Sequence, residues 1–257
     1  MIMVDTIRAQ SSGTPLIFAG HSHIIALVDN RDCTPPEVRK LDVGTDAFTI
    51  DGTWPRDDAY WAQLAEAARD SDVALMWGGN EHNSCYFFQD AYQFDFLSTY
   101  VNKIIPSMQI VPRNRIAKRF NELTLNDLDA VLASLRDACA RSITVLGTPA
   151  PKKDNEALRA MLPSEPFFVD WSKSLGTSLD DIKITLPHVR LKLWYLLQEM
   201  LQAAAARINA LFIPVPRESQ DEEGYLLPAF WAHDITHANG EYGQLMLRNV
   251  LKELGHE

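Results

Sequence analysis

Residues 15–24 read PLIFAGHSHI. The first six are apolar almost without a break, and a polar run begins directly after Gly20. A strand covered on both faces has this continuous pattern, whereas a half-buried strand alternates. Gly20 lets the chain turn tightly out of the strand, so His21, Ser22 and His23 stand at its C-terminal end. Four further runs share the pattern: AFTI (47–50), DVALMWGG (72–79), ITVLGTPA (143–150) and ALFIPVP (210–216).

Helical patterns separate these runs. Residues 57–69 carry alanines, Trp61 and Leu64 at helical spacing. Residues 124–140 open on Thr124 as a capping residue and place Leu128, Val131, Leu132 and Leu135 on one face. Pro187 suits the first turn of a helix running to about Asn209, and a last helix spans 240–254. Strand–helix alternation predicts a parallel sheet with helices on both faces. Right-handed crossovers then bring every strand C-terminus to one edge, where open α/β sheets bind ligands. With no internal repeat, low-complexity tract or linker, residues 1–257 read as one domain. The segment 81–113 is long and aromatic, with Tyr86, Phe87, Phe88, Tyr92, Phe94, Phe96 and Tyr100. It reads either as an insertion walling a pocket or as a segment packing its aromatic face onto the core.

Composition narrows the function. Hydrophobic residues make up 46% and charged residues 23%, as in ordinary globular chains. The net charge of −10 and the lack of a basic stripe argue against nucleic acid as a partner. Arg113, Arg115, Lys118 and Arg119 read as a solvated face. Cys33, Cys85 and Cys139 are too few and too scattered for a disulfide framework or a zinc ribbon. The first residues include Asp5 and lack a signal-peptide layout. No run approaches the roughly 18 apolar residues of a membrane span. The expectation is a cytoplasmic protein with reduced thiols, and without a membrane partner.

Three strand ends carry polar residues that apolar packing does not explain. The first holds Ser22, whose hydroxyl would stand above the sheet and whose N–H would face a helix start that favours negative charge. The third is Gly78-Gly79-Asn80-Glu81-His82. The segment after the fifth leads to HDITHANGEYG, residues 233–243, with Asp234 and His237 three apart. Taken singly, each has a plainer meaning: an N-cap serine, a loop asparagine, a helix cap with a nearby histidine. Together and in this order they are a far stronger signal, because an oriented imidazole needs a nucleophile.

On these blocks the chain resembles the SGNH (GDSL-like) hydrolase family. The family's Gly-Asp-Ser is here Gly20-His21-Ser22; its Gly-x-Asn-Asp is Gly78-Gly79-Asn80-Glu81; its Asp-x-x-His is Asp234-Ile235-Thr236-His237, followed by Asn239, Tyr242 and Gly243. The resemblance implies Ser22 as nucleophile, His237 as general base and Asp234 as the residue orienting it. It implies an oxyanion hole made of the Ser22 N–H, the Asn80 side chain and a second-block glycine, taken as Gly52 with Gly44 as the fallback. His21, Gly79 and His82 are expected beside the substrate. The chain departs from the pattern at His21 and Glu81, and the first departure changes the hydrogen bonding next to the nucleophile.

Rival readings exist. His21, His23, His82, His233, Asp234 and His237 invite one or two metal sites. Gly-His-Ser-His and Gly-Asn-Glu-His also resemble metallophosphoesterase blocks, but those occur in the opposite order, and an amidohydrolase barrel needs more strands. Cys85 lacks a basic partner nearby. Trp77 and Trp231 read as core. The same acyl-enzyme could pass its acyl group to a sugar hydroxyl, giving an O-acyltransferase, and a chain that had lost activity would be a binding module. The combined expectation is a flavodoxin-like three-layer α/β/α sandwich with a five-stranded parallel sheet. Its activity would be that of a serine esterase or deacylase on a small-molecule or carbohydrate acyl ester such as an acetyl ester, without metal or organic cofactor. Oligomeric state has no signature in the sequence.

Overall fold

The computed structural model describes residues 7, 13–89, 93–138 and 140–256. Asp5, Tyr92 and Cys139 lie outside the described residues. The strands are β1 (Leu16–Gly20), β2 (Glu37–Lys40), β3 (Ala47–Asp51), β4 (Asp72–Met76), β5 (Phe94–Asp95), β6 (Gln109–Ile110), β7 (Ser142–Leu146) and β8 (Leu211–Ile213). The helices are α1 (Ile25–Val28), α2 (Asp58–Ala67), α3 (Glu81–Ser84), α4 (Arg113–Phe120), α5 (Asn126–Asp137), α6 (Asn155–Met161), α7 (Pro166–Ser174), α8 (Pro187–Arg207) and α9 (Gly240–Leu254).

The central sheet has six strands in the order β2-β3-β1-β4-β7-β8. Five are the expected parallel strands in flavodoxin-like order. The sixth, β2, pairs antiparallel with β3 at the edge. Its sequence, Glu-Val-Arg-Lys, is charged and largely exposed, so it has no apolar run to announce it. A charged edge strand protects the sheet from pairing with another chain.

Alternate strand residues feed two cores. Ile17, Ala19, Val73 and Leu75 face α2, α5 and α8, while Leu16, Phe18, Ala74 and Met76 face α1 and α9. This alternation makes the three layers. Helix α8 supplies residues to both cores and is correspondingly apolar on more than one side. Asp57 caps α2 by accepting the Tyr60 N–H at 2.9 Å. Thr124 does not cap α5: it lies in a widened turn continuous with α4 and α5, and its hydroxyl accepts the Trp77 indole N–H at 2.9 Å.

The described residues of segment 81–113 are mostly irregular. Phe87 and Phe88 join Phe168, Ile182, Ile184 and Ile235 in a third core. That core includes Ile235, the neighbour of Asp234, so the aromatic segment braces the loop carrying that carboxylate. Among the described residues no helix is long and apolar enough to cross a membrane.

Candidate active site

The C-terminal edge of the sheet assembles the polar blocks. Gly20 sits at φ +140°, and a Cβ there would lie 2.0 Å from the Met76 carbonyl oxygen, so only glycine lets β1 leave the sheet this close to β4. The next residue keeps the contact, because the His21 N–H donates to the Met76 carbonyl at 2.9 Å. Ser22 then opens a short 3-10 turn. Its backbone N–H has no partner among the described residues.

His237 reaches Ser22 from 215 positions along the chain: its Nε2 lies 2.9 Å from Ser22 Oγ. Its Nδ1 lies 2.8 Å from Asp234 Oδ2. The same carboxylate accepts the backbone N–H groups of Thr236 at 2.8 Å and His237 at 2.6 Å through Oδ1. Burial alone would raise the Asp234 pKa, but the bonds from the His237 ring, the charge there and the two N–H donors hold the carboxyl well below its usual range. Such a carboxylate fixes the imidazole with Nδ1 protonated and Nε2 free to accept from the serine hydroxyl.

Two helices lock this meeting. Asn239 caps α9 by accepting the Glu241 and Tyr242 N–H groups at 3.1 and 3.2 Å. At Gly243, a Cβ would fall 1.6 Å from the Ala26 carbonyl oxygen. The helix behind His237 therefore packs backbone to backbone on the segment behind Ser22. A larger residue at 243 would part them.

Asn80 follows β4, two residues after Gly78. Its Oδ1 is buried without a hydrogen-bond partner. Its neighbour Gly78 donates its N–H to His21 Nδ1 at 2.9 Å. Gly79 donates to Glu81 Oε2 at 2.8 Å. The asparagine amide is thus left uncommitted in a loop that is otherwise tied down.

Several expectations need correction. Gly52 is no oxyanion donor, because its N–H donates to the Arg31 carbonyl at 3.0 Å. Gly44 precedes β3 and lines a hollow of about 640 Å³ at the opposite edge of the sheet, beside Lys40, Arg141 and His256. Gly79 is buried with its N–H occupied, so it offers no donor to a substrate. His82 is buried at 2% exposure with neither ring nitrogen paired, and burial together with Arg190 lowers its pKa to about 3. It is a wall of the core rather than a substrate contact.

His21 is a latch. Its ring packs edge-on against Trp61 at 5.5 Å and tilted on Trp77 at 4.3 Å, and burial with the nearby Arg56 lowers its pKa to about 4. A neutral ring is what accepting the Gly78 N–H requires. His23 is buried beside His237, ring centroids 4.9 Å apart, and burial with His237 keeps it neutral. His233 is exposed. Among the described residues, no group of three or more His, Cys, Asp or Glu side chains is arranged to hold a metal ion. Burial raises the Cys85 thiol pKa. Trp77 is buried in the core, and the Trp231 indole donates to the Leu226 carbonyl at 2.8 Å.

Sequence reasoning passed over two residues. Arg56, stacked on Trp54 and Tyr60, donates to the carbonyls of Gly20 at 3.2 Å and of Gly52, tying the ends of β1 and β3 together. Lys152 sits in the loop after β7 with its side chain only 1% exposed, 3.9 Å from Asp234 Oδ1. Its position after a strand end was the available signal, but lysines in loops are ordinarily solvated.

No protein-family model matches the chain, and no curated protein does. Solved structures do. A catalytic mutant of an acetylxylan esterase from Geobacillus stearothermophilus shares 16% identity over 96% of both chains, with a TM-score of 0.50. The unmutated enzyme shares 15% over 96% of both chains, at a TM-score of 0.47. A Bacteroides fragilis protein provisionally described as an acylhydrolase shares 10%, covering 98% of this chain and 93% of its own, at 0.49. At such identities the likeness speaks of architecture alone. The sheet order, the helical layers and the likeness at a TM-score of 0.50 show a three-layer α/β/α fold of the kind that the acetylxylan esterase has.

Proposed function

We propose that this protein is a serine esterase that hydrolyses an O-acyl ester through an acyl-Ser22 intermediate. The observation that carries the reading is the continuous Ser22–His237–Asp234 hydrogen-bond line, with spacings of 2.9 and 2.8 Å. His237 Nε2 takes the hydroxyl proton as Ser22 Oγ attacks the acyl carbon. Asp234 holds the ring and stabilises the imidazolium. The Ser22 N–H and the Asn80 amide are the uncommitted donors for the oxyanion. Collapse of the tetrahedral intermediate breaks the ester C–O bond, and the leaving alkoxide takes the proton back from His237. Water, deprotonated by the same nitrogen, then attacks the acyl-serine and releases the acid.

A carbohydrate-linked acetyl ester is the substrate class we favour. Its support is that the folds resembled include an acetylxylan esterase. The test is p-nitrophenyl acetate hydrolysis by wild type and Ser22→Ala, with and without chelator. The expected outcome is hydrolysis indifferent to chelator, reduced at least about 10⁴-fold in the variant. A fluorophosphonate should label the wild type only. Chelator-sensitive activity that survives in Ser22→Ala would overturn the reading.

A further inference from the structure

The loop that carries Asp234 and His237 is closed on itself. Trp231 and Ala238 form an antiparallel bridge, and the Ala232 N–H donates to the His237 carbonyl at 3.2 Å. That closure turns the carbonyls of Ala232 and Asp234 away from the loop's own donors. Both are met by one group. Lys152 Nζ donates to Ala232 O at 2.9 Å and to Asp234 O, and lies 3.9 Å from Asp234 Oδ1. The aromatic face of Trp231 covers it, 5.6 Å from the ring centroid.

Lys152 is itself held from behind. Arg190, on α8 and buried, donates to the Lys152 carbonyl at 2.8 Å and to Asn155 Oδ1 at 2.6 Å. An unbroken line of contacts therefore runs from the central helix α8 through Arg190 and Lys152 to the loop, and from the loop to Ser22. A lysine side chain loses its hydration and much rotamer freedom when buried this way, and packing of the loop alone does not account for a charged group there.

We propose that Lys152 is a positioning residue of this site: its buried ammonium pins the Ala232 and Asp234 carbonyls and so fixes the Asp234 carboxylate against His237. The inference rests on the roles proposed above for Asp234 and His237. The charged groups facing the ammonium are the Asp234 carboxylate on the loop and the Glu165 carboxylate at the start of α7, with the Arg190 guanidinium behind it on α8. Burial lowers the Lys152 pKa to about 8, against the pull of both carboxylates. Below that pH the ammonium carries three donors and a positive charge. Above it one donor and the charge are lost, and the grip on the loop weakens.

The experiment is the pH dependence of p-nitrophenyl acetate hydrolysis between pH 6 and 10 for wild type, Lys152→Met and Lys152→Arg, together with NMR titration of the His237 ring, assigned by its absence in His237→Gln. The wild-type rate should decline above about pH 8. Lys152→Met should lower kcat by roughly 10- to 100-fold, since small misplacements of catalytic groups cost that much. Its KM should stay within about twofold of wild type, and its alkaline decline should vanish. Lys152→Arg, which stays charged, should recover part of kcat and carry no decline up to pH 10. The wild-type His237 signal should show an inflection near pH 8 that is absent in Lys152→Met. An unchanged kcat in Lys152→Met, or a decline near pH 8 that persists in it, overturns the positioning role and leaves the esterase reading intact. A wild type that hydrolyses no ester yet shows the Lys152-dependent inflection overturns the esterase reading and leaves the positioning role intact.

Discussion

The two sides of the candidate site treat their polar groups in opposite ways. On the His237 side nearly everything is spoken for: Asp234 accepts three hydrogen bonds, and the carbonyls of its loop are met by Lys152. On the Ser22 side, the backbone N–H of Ser22 donates to no other described residue, and Asn80 Oδ1 is buried without a partner. An unpaired buried polar group is costly, so such groups are rare and need a reason. Saturated groups orient, and an uncommitted N–H such as that of Ser22 is free to donate to a charge that forms during reaction.

Substitutions can break this contrast from either side, and the base side should break hardest. Asp234→Asn keeps the shape of the loop but presents the wrong group to His237 Nδ1. Esterase kcat should fall by about 10⁴-fold, measured under saturating substrate. Asn80→Ala removes a waiting donor rather than an orienting one. The expected loss is about 10²–10³-fold in kcat with KM nearly unchanged. An Asn80→Ala variant impaired only in KM would mean that the amide contacts ground-state substrate instead.

His21→Phe probes the border between the sides. It keeps the aromatic packing on Trp61 and Trp77 but leaves the Gly78 N–H without an acceptor. Stability should drop by about 1–3 kcal/mol, read from urea unfolding, with a smaller effect on kcat. The smallest effect concerns acid. A carboxyl with a depressed folded pKa contributes stability above its unfolded value, about 3.9 for Asp, and loses that contribution as pH falls through the folded one. The Tm of wild type should therefore fall more steeply than that of Asp234→Asn between about pH 5 and pH 2. Parallel Tm curves would mean that the Asp234 bonds add nothing to folding.

Much of this was readable along the chain. Continuous apolar runs located the five parallel strands, because burial on both faces leaves no room for alternation. Polar residues directly after two of those runs pointed to Ser22 and Asn80, and the segment following the fifth run to Asp234 and His237, because parallel topology brings strand ends to one edge. The helix from Pro187 followed from the fixed geometry of proline, whereas the Asn239 cap of α9 was not read from the sequence. Strand β2 was not readable, since an exposed, charged edge strand has the composition of a loop.

What the tertiary structure alone decided is which donors remain free and what holds the base. Gly52 looked like an oxyanion donor until Arg31 was seen to take its N–H. His21 and His82 looked like substrate contacts until one proved to be a latch to Gly78 and the other a core residue. Lys152 went unremarked in the sequence, and only the fold sets its ammonium against Ala232 and Asp234. Local sequence records a residue's type and its period. Whether a polar atom is paired depends on partners tens or hundreds of positions away, and only the closed fold brings those partners together.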